Sequence, residues 1–167
     1  MSQFVIEKLA RHHAVDAFDC GVAPLNLFLT RYALVNQFAH ASQTYVAAGQ
    51  GKVIGYYTLA AGEVDPGDAP PRLIKGLARH LVPIMILARL AVHRDWHGKG
   101  VGAGLTRDAI RRTLQAADIA GIRAFVVHAK DDLAQAFYVH FGFAEGFSDP
   151  MHLYILTKDL KALAGQS

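Results

Sequence analysis

Cysteine is nearly absent from this chain of 167 residues, in which Cys20 is the single example. One thiol cannot build a disulfide framework, so the sequence excludes a small secreted protein held together by disulfide bonds. No run of about 18 apolar residues is available to span a bilayer. The N-terminal residues also lack the basic and then apolar order of a secretory signal. These absences predict a cytoplasmic protein with no membrane partner.

Charged residues are also sparse, at 19% of the chain against 52% hydrophobic residues. This composition is too apolar for a disordered chain, and 167 residues can bury a substantial core. We therefore expect a single folded domain over residues 1–167. Seventeen basic and fourteen acidic side chains give a net charge of +3. That excess is compatible with a polyanionic partner without requiring one.

The order of the predicted elements indicates an α/β or α+β fold, in which helices flank a mixed central β-sheet. Residues 43–49 and 52–60 are rich in β-formers and meet at Gln50-Gly51, which predicts a hairpin. A loop is expected from Gly62 to Pro71, and a polar tail after residue 156. The other expected strands are 2–9, 84–92, 122–128 and 151–156, and the expected helices begin at Ala23, near Arg72, at Ala103 and at Asp131.

Two of the expected helices carry stripes of side chains. The helix that begins at Ala23 places an apolar stripe at helical spacing, which we expect to be core: Leu25, Phe28, Leu29 and Tyr32. The helix near Arg72 is expected to place Leu73, Ile74, Leu77, Ala78 and Leu81 on one face. Its other face is basic, and either is simply solvated or contacts nucleic-acid phosphates: Arg72, Lys75 and Arg79.

The most informative segment is a glycine loop between a predicted strand and a predicted helix, at residues 97–102. Glycines let the backbone approach an anion closely, and the positive end of the helix favours phosphate. A nucleotide triphosphatase P-loop is excluded, because Lys99 is followed by Gly100 instead of Ser or Thr. A dinucleotide site remains an alternative, since Gly98-x-Gly100-x-x-Ala103 matches one of its variants. A purely structural tight turn is the third interpretation.

The glycine loop resembles the Q/R-x-x-G-x-G/A motif of the GNAT acetyltransferases, with His97 where the family usually has Gln or Arg. A second stretch, residues 134–143, is similar to the family's helix that ends in F-Y-x-x-x-G-F. The resemblance implies acetyl-CoA as cosubstrate, no metal, and Tyr138 as the acid that releases coenzyme A. It also implies that the cofactor contacts Leu90, Ala91, Val92, His97, Gly98, Lys99, Gly100, Val101, Gly102 and Ala103.

Helical geometry adds an expectation about Tyr138. Leu133, Phe137 and Phe141 recur at i, i+4 and i+8, so they should share one packed face. Tyr138 then lies about 100° away from that face and is free to line a cleft. The alternative is that Tyr138 is itself a packing residue.

The chain is similar to one branch of this family, the GNAT toxins of bacterial toxin–antitoxin pairs. The similarity lies in residues 18–29, 55–59 and 87–92. It implies acetylation of the α-amino group of aminoacyl-tRNA, arrest of translation, and inhibition by a ribbon-helix-helix antitoxin; a homodimer is also compatible with it. The alternatives are an acetyltransferase acting on a small-molecule or protein amine, and an acyl-CoA-binding module without catalysis.

The acceptor must attack as a neutral amine, and the predicted strand 84–92 contains no Asp or Glu to act as a base. A lysine amine, with a pKa near 10.4, then needs far more help at neutral pH than an α-amine near 7.7–8.0. This favours an α-amine as substrate. A water chain or His93 remains a possible base, although a histidine at the end of a strand is more often structural.

Overall fold

The computed structural model describes residues 4–165, in which six strands are hydrogen-bonded in chain order. β1 to β3 pair antiparallel, β4 and β5 pair parallel, and β5 and β6 pair antiparallel, so the predicted mixed sheet with helices is confirmed. The strands are β1 (Val5–Lys8), β2 (Gln43–Gly49), β3 (Lys52–Val64), β4 (Val82–Val92), β5 (Ala124–His128) and β6 (His152–Leu156). The α-helices are α1 (Ala23–Leu27), α2 (Ala33–Phe38), α3 (Pro71–Ile74), α4 (Val101–Ala117), α5 (Asp132–His140) and α6 (Thr157–Ala164).

The described chain divides into two compact units. The first unit contains the residues up to Ala60 together with Ala88–Ala109, and the second contains Ala61–Leu87 and the residues from Ile110 onward. In residues 4–165, no helix has both the length and the apolar character needed to cross a lipid bilayer.

The predicted hairpin is present in the first unit and joins β2 to β3 through Gln50 and Gly51. Both turn residues have positive φ, at 55° and 75°, as a two-residue turn between twisted strands requires. β3 continues to Val64, so the predicted loop beginning at Gly62 is wrong over its first three residues. The turn residues were therefore enough to predict the hairpin. The end of its second strand could not be predicted in the same way, because it depends on pairing with neighbouring strands.

A π-helical turn, Phe28–Tyr32, connects α1 to α2 and alters the predicted apolar stripe. The N–H of Ala33 donates to the carbonyl of Phe28, five residues earlier, so the turn contains one more residue than an α-helical turn. Phe28 and Leu29 are buried as expected, but Tyr32 is 50% exposed and Ala33 is buried in its place. The extra residue rotates Tyr32 away from the core.

β3, β4 and α4 pack closely together at Gly55 in the first unit. A Cβ atom at this position would lie 3.1 Å from the Ala91 carbonyl oxygen and 3.0–3.1 Å from side-chain atoms of Val101 and Leu105. β3 therefore lies directly against the end of β4 and the start of α4. One turn further along α4, the buried Tyr57 hydroxyl donates to the Asp108 carboxylate at 2.6 Å.

In the second unit, the predicted helix over residues 72–81 ends at Ile74, so its extension to Leu81 is wrong. Gly76 has a φ of +81°, a conformation that stops a helix and that glycine adopts most readily. The Arg123 guanidinium then caps the end of α3 by donating to the carbonyls of Leu73 at 2.8 Å and Lys75 at 3.1 Å. Arg72, Lys75 and Arg79 consequently do not share one helix face.

The C-terminal segment contains a helix, α6, where a polar tail was predicted. Its one fully buried side chain is Leu160, and Thr157 anchors its first turn through a hydroxyl bond to the Ile122 carbonyl at 2.6 Å. A short helix with one buried apolar position gives little periodic signal, which explains why sequence periodicity missed it.

Gly55→Ala should lower the melting temperature, because a methyl group there would overlap the Ala91 carbonyl and two α4 side chains. Overpacking of this kind costs about 1–3 kcal/mol, and each kcal/mol corresponds to roughly 2–4 °C in a domain of this size. Gly121→Ala is the matched control, since its new Cβ would meet no atom within 4 Å. Equal melting temperatures for the two variants, measured by calorimetry, would contradict this packing.

Candidate functional site

The end of β4 is held by backbone hydrogen bonds within the first unit. The N–H of His93 donates to the Ile54 carbonyl at 2.8 Å, and the N–H of Arg94 donates to the Asp19 carbonyl at 2.9 Å. The Asp19 carboxylate also lies 3.3 Å from Arg94 Nε. Hydrogen bonds, first from the Gly21 N–H and then from Asn26, lower the pKa of Asp19, which therefore stays ionised.

The glycine loop turns from β4 into α4 with an open backbone. Gly98 and Gly100 have φ values of +76° and +83°, and a Cβ atom at either position would have no neighbour within 4 Å. Both glycines are therefore required by backbone conformation, and the space beside them is free. A ligand can approach the main chain at both positions.

α4 begins at Val101, two residues earlier than predicted, and this changes which donors face the loop. The N–H of Gly104 donates to the Gly100 carbonyl at 3.0 Å and is the first bond of the helix ladder. The N–H groups of Val101, Gly102 and Ala103 precede it, so they have no acceptor in the helix. Together with the positive end of α4, they form a site suited to an anion.

His97 is exposed, and its ring is directed back toward β4. Its Nε2 lies 2.8 Å from the Val92 carbonyl oxygen, and because a carbonyl only accepts, Nε2 carries the proton and donates. The ring thus ties the loop to the end of the strand at Leu90–Val92. Lys99 lies next to the same turn, with its Nζ 5.2 Å from the centre of the Trp96 ring.

His93, the candidate base, has a structural role in this geometry. Its Nδ1 accepts a hydrogen bond at 3.1 Å from the Asp95 N–H and so caps the short 3₁₀ turn Arg94–Trp96. A ring nitrogen that already accepts a backbone N–H is a poor proton acceptor for a substrate. The geometry thus agrees with the structural reading of this histidine.

Tyr138 lies on α5 in the second unit, and it is buried, contrary to the predicted packing of that helix. Tyr138 is 7% exposed whereas Leu133 is 84% exposed, so the predicted packed face containing Leu133 is wrong. The Tyr138 ring packs edge-on against Phe137 and Phe143, with centroids 5.3 and 5.6 Å away. Phe143 lies beyond the end of α5, and packing against it turns the tyrosine face of the helix inward.

The Tyr138 hydroxyl combines a buried ring with an accessible oxygen. Burial raises its pKa above the ordinary value for tyrosine, so the group stays protonated at neutral pH. Within residues 4–165 no polar atom accepts its hydrogen. In the part of the chain that the structure describes, three side chains have a polar atom that is sealed from solvent and lacks a hydrogen-bond partner: Ser42, Gln43 and Thr113. The Tyr138 hydroxyl is not among these atoms. Its oxygen therefore reaches accessible surface and can donate a proton there.

The three basic residues predicted to contact nucleic acid differ in their surroundings, although all three are exposed. Arg72 NH1 forms an ion pair at 3.0 Å with the Asp159 carboxylate of α6, so part of its charge is already neutralised. Lys75 offers its carbonyl to Arg123 and leaves its ammonium group at the surface. Lys75 and Arg79 are consequently the stronger candidates for contacts with phosphate.

A further cluster of ionisable side chains was not predicted from the sequence: Glu7, His12 and His13 place potential metal-ligand atoms within 4.8 Å of one another. His13 Nδ1 accepts from the Ala10 N–H at 2.9 Å, so the proton is on Nε2, which donates to Glu7 at 2.7 Å. Both ring nitrogens are thus occupied, and this hydrogen bond lowers the pKa of Glu7. The cluster is accounted for by its own hydrogen bonds.

Comparison with known proteins finds the same family throughout. Residues 40–145 match the family described as "Acetyltransferase (GNAT) domain". A tRNA-acetylating toxin of Mycobacterium tuberculosis is 45% identical over 151 residues, which are 90% of each chain. The structure of AtaT complexed with acetyl-methionyl-tRNAfMet has a TM-score of 0.88 and 28% identity, over 96% of this chain and 98% of AtaT. A tyrosine-to-phenylalanine mutant of the AtaT toxin, bound to the C-terminus of the antitoxin AtaR and acetyl-CoA, has a TM-score of 0.82 and 27% identity, over 97% and 98% of the two chains.

Proposed function

The chain belongs to the GNAT acetyltransferase family, and on that premise we propose that it acetylates the α-amino group of aminoacyl-tRNA with acetyl-CoA and so blocks translation. The observation that carries this proposal is the 45% identity, over 90% of both chains, to a tRNA-acetylating toxin. Similarity of that extent covers the sequence around the glycine loop as well as the core. The structure of AtaT with an acetylated tRNA supports the same substrate class.

Acetyl-CoA fits the chemistry of the glycine loop. The pyrophosphate needs several N–H donors and space for close approach, and the start of α4 supplies both. The open positions at Gly98 and Gly100 admit the phosphates to the backbone. In this proposal the cofactor site consists of Leu90, Ala91, Val92 and residues 97–103, with β4 contacting the pantetheine arm through its backbone.

The reaction joins the amine nitrogen to the acetyl carbon and breaks the carbon–sulfur bond. The departing thiolate of coenzyme A needs a proton, and we assign that proton to the Tyr138 hydroxyl. The amine nitrogen loses one proton in the same reaction, and that proton restores the Tyr138 hydroxyl, so the protons balance. Burial raises the pKa of Tyr138, which keeps the hydroxyl protonated at neutral pH but also makes it a weaker acid, so the transfer requires the thiolate to lie within hydrogen-bonding distance of the hydroxyl. An α-amine needs little deprotonation at neutral pH, which agrees with a β4 strand that contains no carboxylate.

We also propose that this toxin acts in the cytoplasm and is inhibited by an antitoxin of the ribbon-helix-helix type. The support is the structure of AtaT with the C-terminus of its antitoxin AtaR. A homodimer and a single catalytic domain over residues 1–167 belong to the same proposal. A small ribbon-helix-helix protein encoded by the adjacent reading frame would identify the antitoxin.

Acetyl-CoA should raise the melting temperature, because a ligand at about 100 times its dissociation constant adds roughly 2.7 kcal/mol of stability. Gly100→Val should abolish this increase, since a β-branched side chain strains a positive φ and blocks the phosphate. Gly51→Val is the matched control: Gly51 also has a positive φ, 75°, but lies in the β2–β3 turn. It should lose stability and keep the acetyl-CoA shift. A shift with NAD and none with acetyl-CoA, in thermal shift assays, would reject the acetyltransferase assignment.

Tyr138→Phe should reduce turnover by roughly 100-fold or more, the usual loss for a general acid, while the acetyl-CoA shift persists. Tyr154→Phe is the control, because Tyr154 is likewise buried in the second unit and has no assigned role in the reaction. Steady-state rates of coenzyme A release measure the difference. If Tyr138→Phe retains the rate of the control, Tyr138 is a packing residue and the proton has another source.

The purified protein should transfer labelled acetyl groups to aminoacyl-tRNA and not to deacylated tRNA, which lacks the reactive amine.

Lys75→Ala and Arg79→Ala should each weaken tRNA binding. Each should also lower the slope of log binding constant against log salt concentration by about one, without changing the acetyl-CoA shift. Arg72→Ala should have a smaller effect, because Arg72 is already paired with Asp159.

Expression without an antitoxin should arrest bacterial growth, and Tyr138→Phe should relieve the arrest. The opposite pattern would be efficient acetylation of a free polyamine, untouched charged tRNA and normal growth. That pattern would assign the enzyme to small-molecule amines. Binding of acetyl-CoA without turnover on any amine would instead indicate a non-catalytic module.

A further inference from the structure

Arg89 is the one charged residue of β4. The side chain is half-buried, and its Cζ lies 3.8 Å above the centre of the Phe28 ring. Among residues 4–165, no carboxylate pairs with it and no oxygen accepts from its N–H groups. Because Arg89 is only half-buried, water can hydrate its N–H groups, and within residues 4–165 these groups have no acceptor, so they are available to a ligand.

The stacked contact uses only the face of the guanidinium. Its N–H groups lie in the plane of the group and point outward from the edge, where they can bind an oxyanion with two parallel hydrogen bonds. A guanidinium that is already stacked loses less rotational freedom on binding than a free one does. Arg89 is therefore pre-organised for phosphate.

The Phe28 ring is fixed by its own surroundings. Phe28 is 5% exposed, and its ring stacks on Tyr56 at a centroid distance of 6.3 Å. The Tyr56 hydroxyl in turn donates to the Leu25 carbonyl at 2.8 Å. Phe28 also begins the π-helical turn, and such turns occur frequently at functional sites.

We propose that Arg89 and Phe28 form a second phosphate subsite, separate from the glycine loop, that binds a phosphodiester of the tRNA acceptor end. The proposal rests on the proposed function. Arg89 lies three residues before Val92, which is roughly 10 Å along an extended strand, and the glycine loop begins only after Val92. The pyrophosphate of coenzyme A already has donors at the start of α4. We therefore assign a phosphate of the acceptor to Arg89, and the acetyl-CoA shift of the Arg89 variants distinguishes it from the 3′-phosphate of coenzyme A.

Arg89→Gln should lower kcat/KM for charged tRNA roughly 10-fold or more, since a charge-assisted hydrogen bond is lost. The salt slope of tRNA binding should fall by about one, whereas the acetyl-CoA shift should not change. Arg89→Lys keeps the charge without the planar fork, so its kcat/KM should lie between those of the wild type and Arg89→Gln. A purely structural arginine would leave the salt slope unaltered.

Arg11→Gln is the matched control, because Arg11 also stacks on a phenylalanine, Phe38, with a Cζ-to-centroid distance of 5.0 Å, but both residues are exposed. Suppose that the wild type acetylates charged tRNA, and that Arg89→Gln and Arg89→Lys both behave like Arg11→Gln. This result would overturn the phosphate subsite and leave the proposed function intact. Loss of the acetyl-CoA shift would assign the phosphate to coenzyme A and overturn the acceptor assignment. Failure of the wild type to acetylate charged tRNA would remove the proposed function and this subsite together.

Discussion

Close packing at Gly55 is the constraint on which the first unit depends. Because position 55 has no side chain, β3 can lie against the Ala91 carbonyl and against Val101 and Leu105 at the start of α4. The end of one strand and the beginning of one helix are thereby fixed relative to each other. The glycine loop connects those two ends within a few residues, and it does so with positive φ values at Gly98 and Gly100. The proposed anion site therefore lies on a loop whose two ends are fixed by this packing.

Features that depend on local chemistry could be predicted from the sequence. The hairpin at Gln50-Gly51 and the glycine loop both need backbone conformations that few residues adopt, and so they leave a direct trace in the sequence. The mixed sheet follows from the order of strongly apolar segments. The family motif drew attention to residues 97–103, and the structure places the first N–H groups of α4 at residues 101–103 without an acceptor in the helix. Periodicity, by contrast, began α4 two residues too late.

Features that depend on distant partners could not be predicted. Phe143, beyond the end of α5, packs against the buried Tyr138. Arg123 caps the end of α3, and Asp159 forms the ion pair with Arg72. The π-helical turn also gives no recognisable signal in the sequence, because an α-helical period through residues 23–38 fits the same apolar residues almost as well. Only the structure shows that Arg89 stacks on Phe28, sixty-one positions earlier in the chain.

The charge pattern of β4 connects the proposed substrate to the proposed subsite. β4 carries one cation, Arg89, and no carboxylate, so it offers nothing to stabilise an ammonium group. A nearby positive charge lowers the pKa of an amine and favours its neutral, nucleophilic form. An α-amine near pKa 7.7–8.0 then becomes reactive at neutral pH, whereas a lysine or polyamine near 10.4 is repelled and stays protonated. The same arginine would attract a phosphate of an aminoacyl-tRNA, and that ion pair would offset most of its charge and weaken its effect on the amine. Arg89 would then select the acceptor chiefly through a phosphate that a lysine or a polyamine lacks.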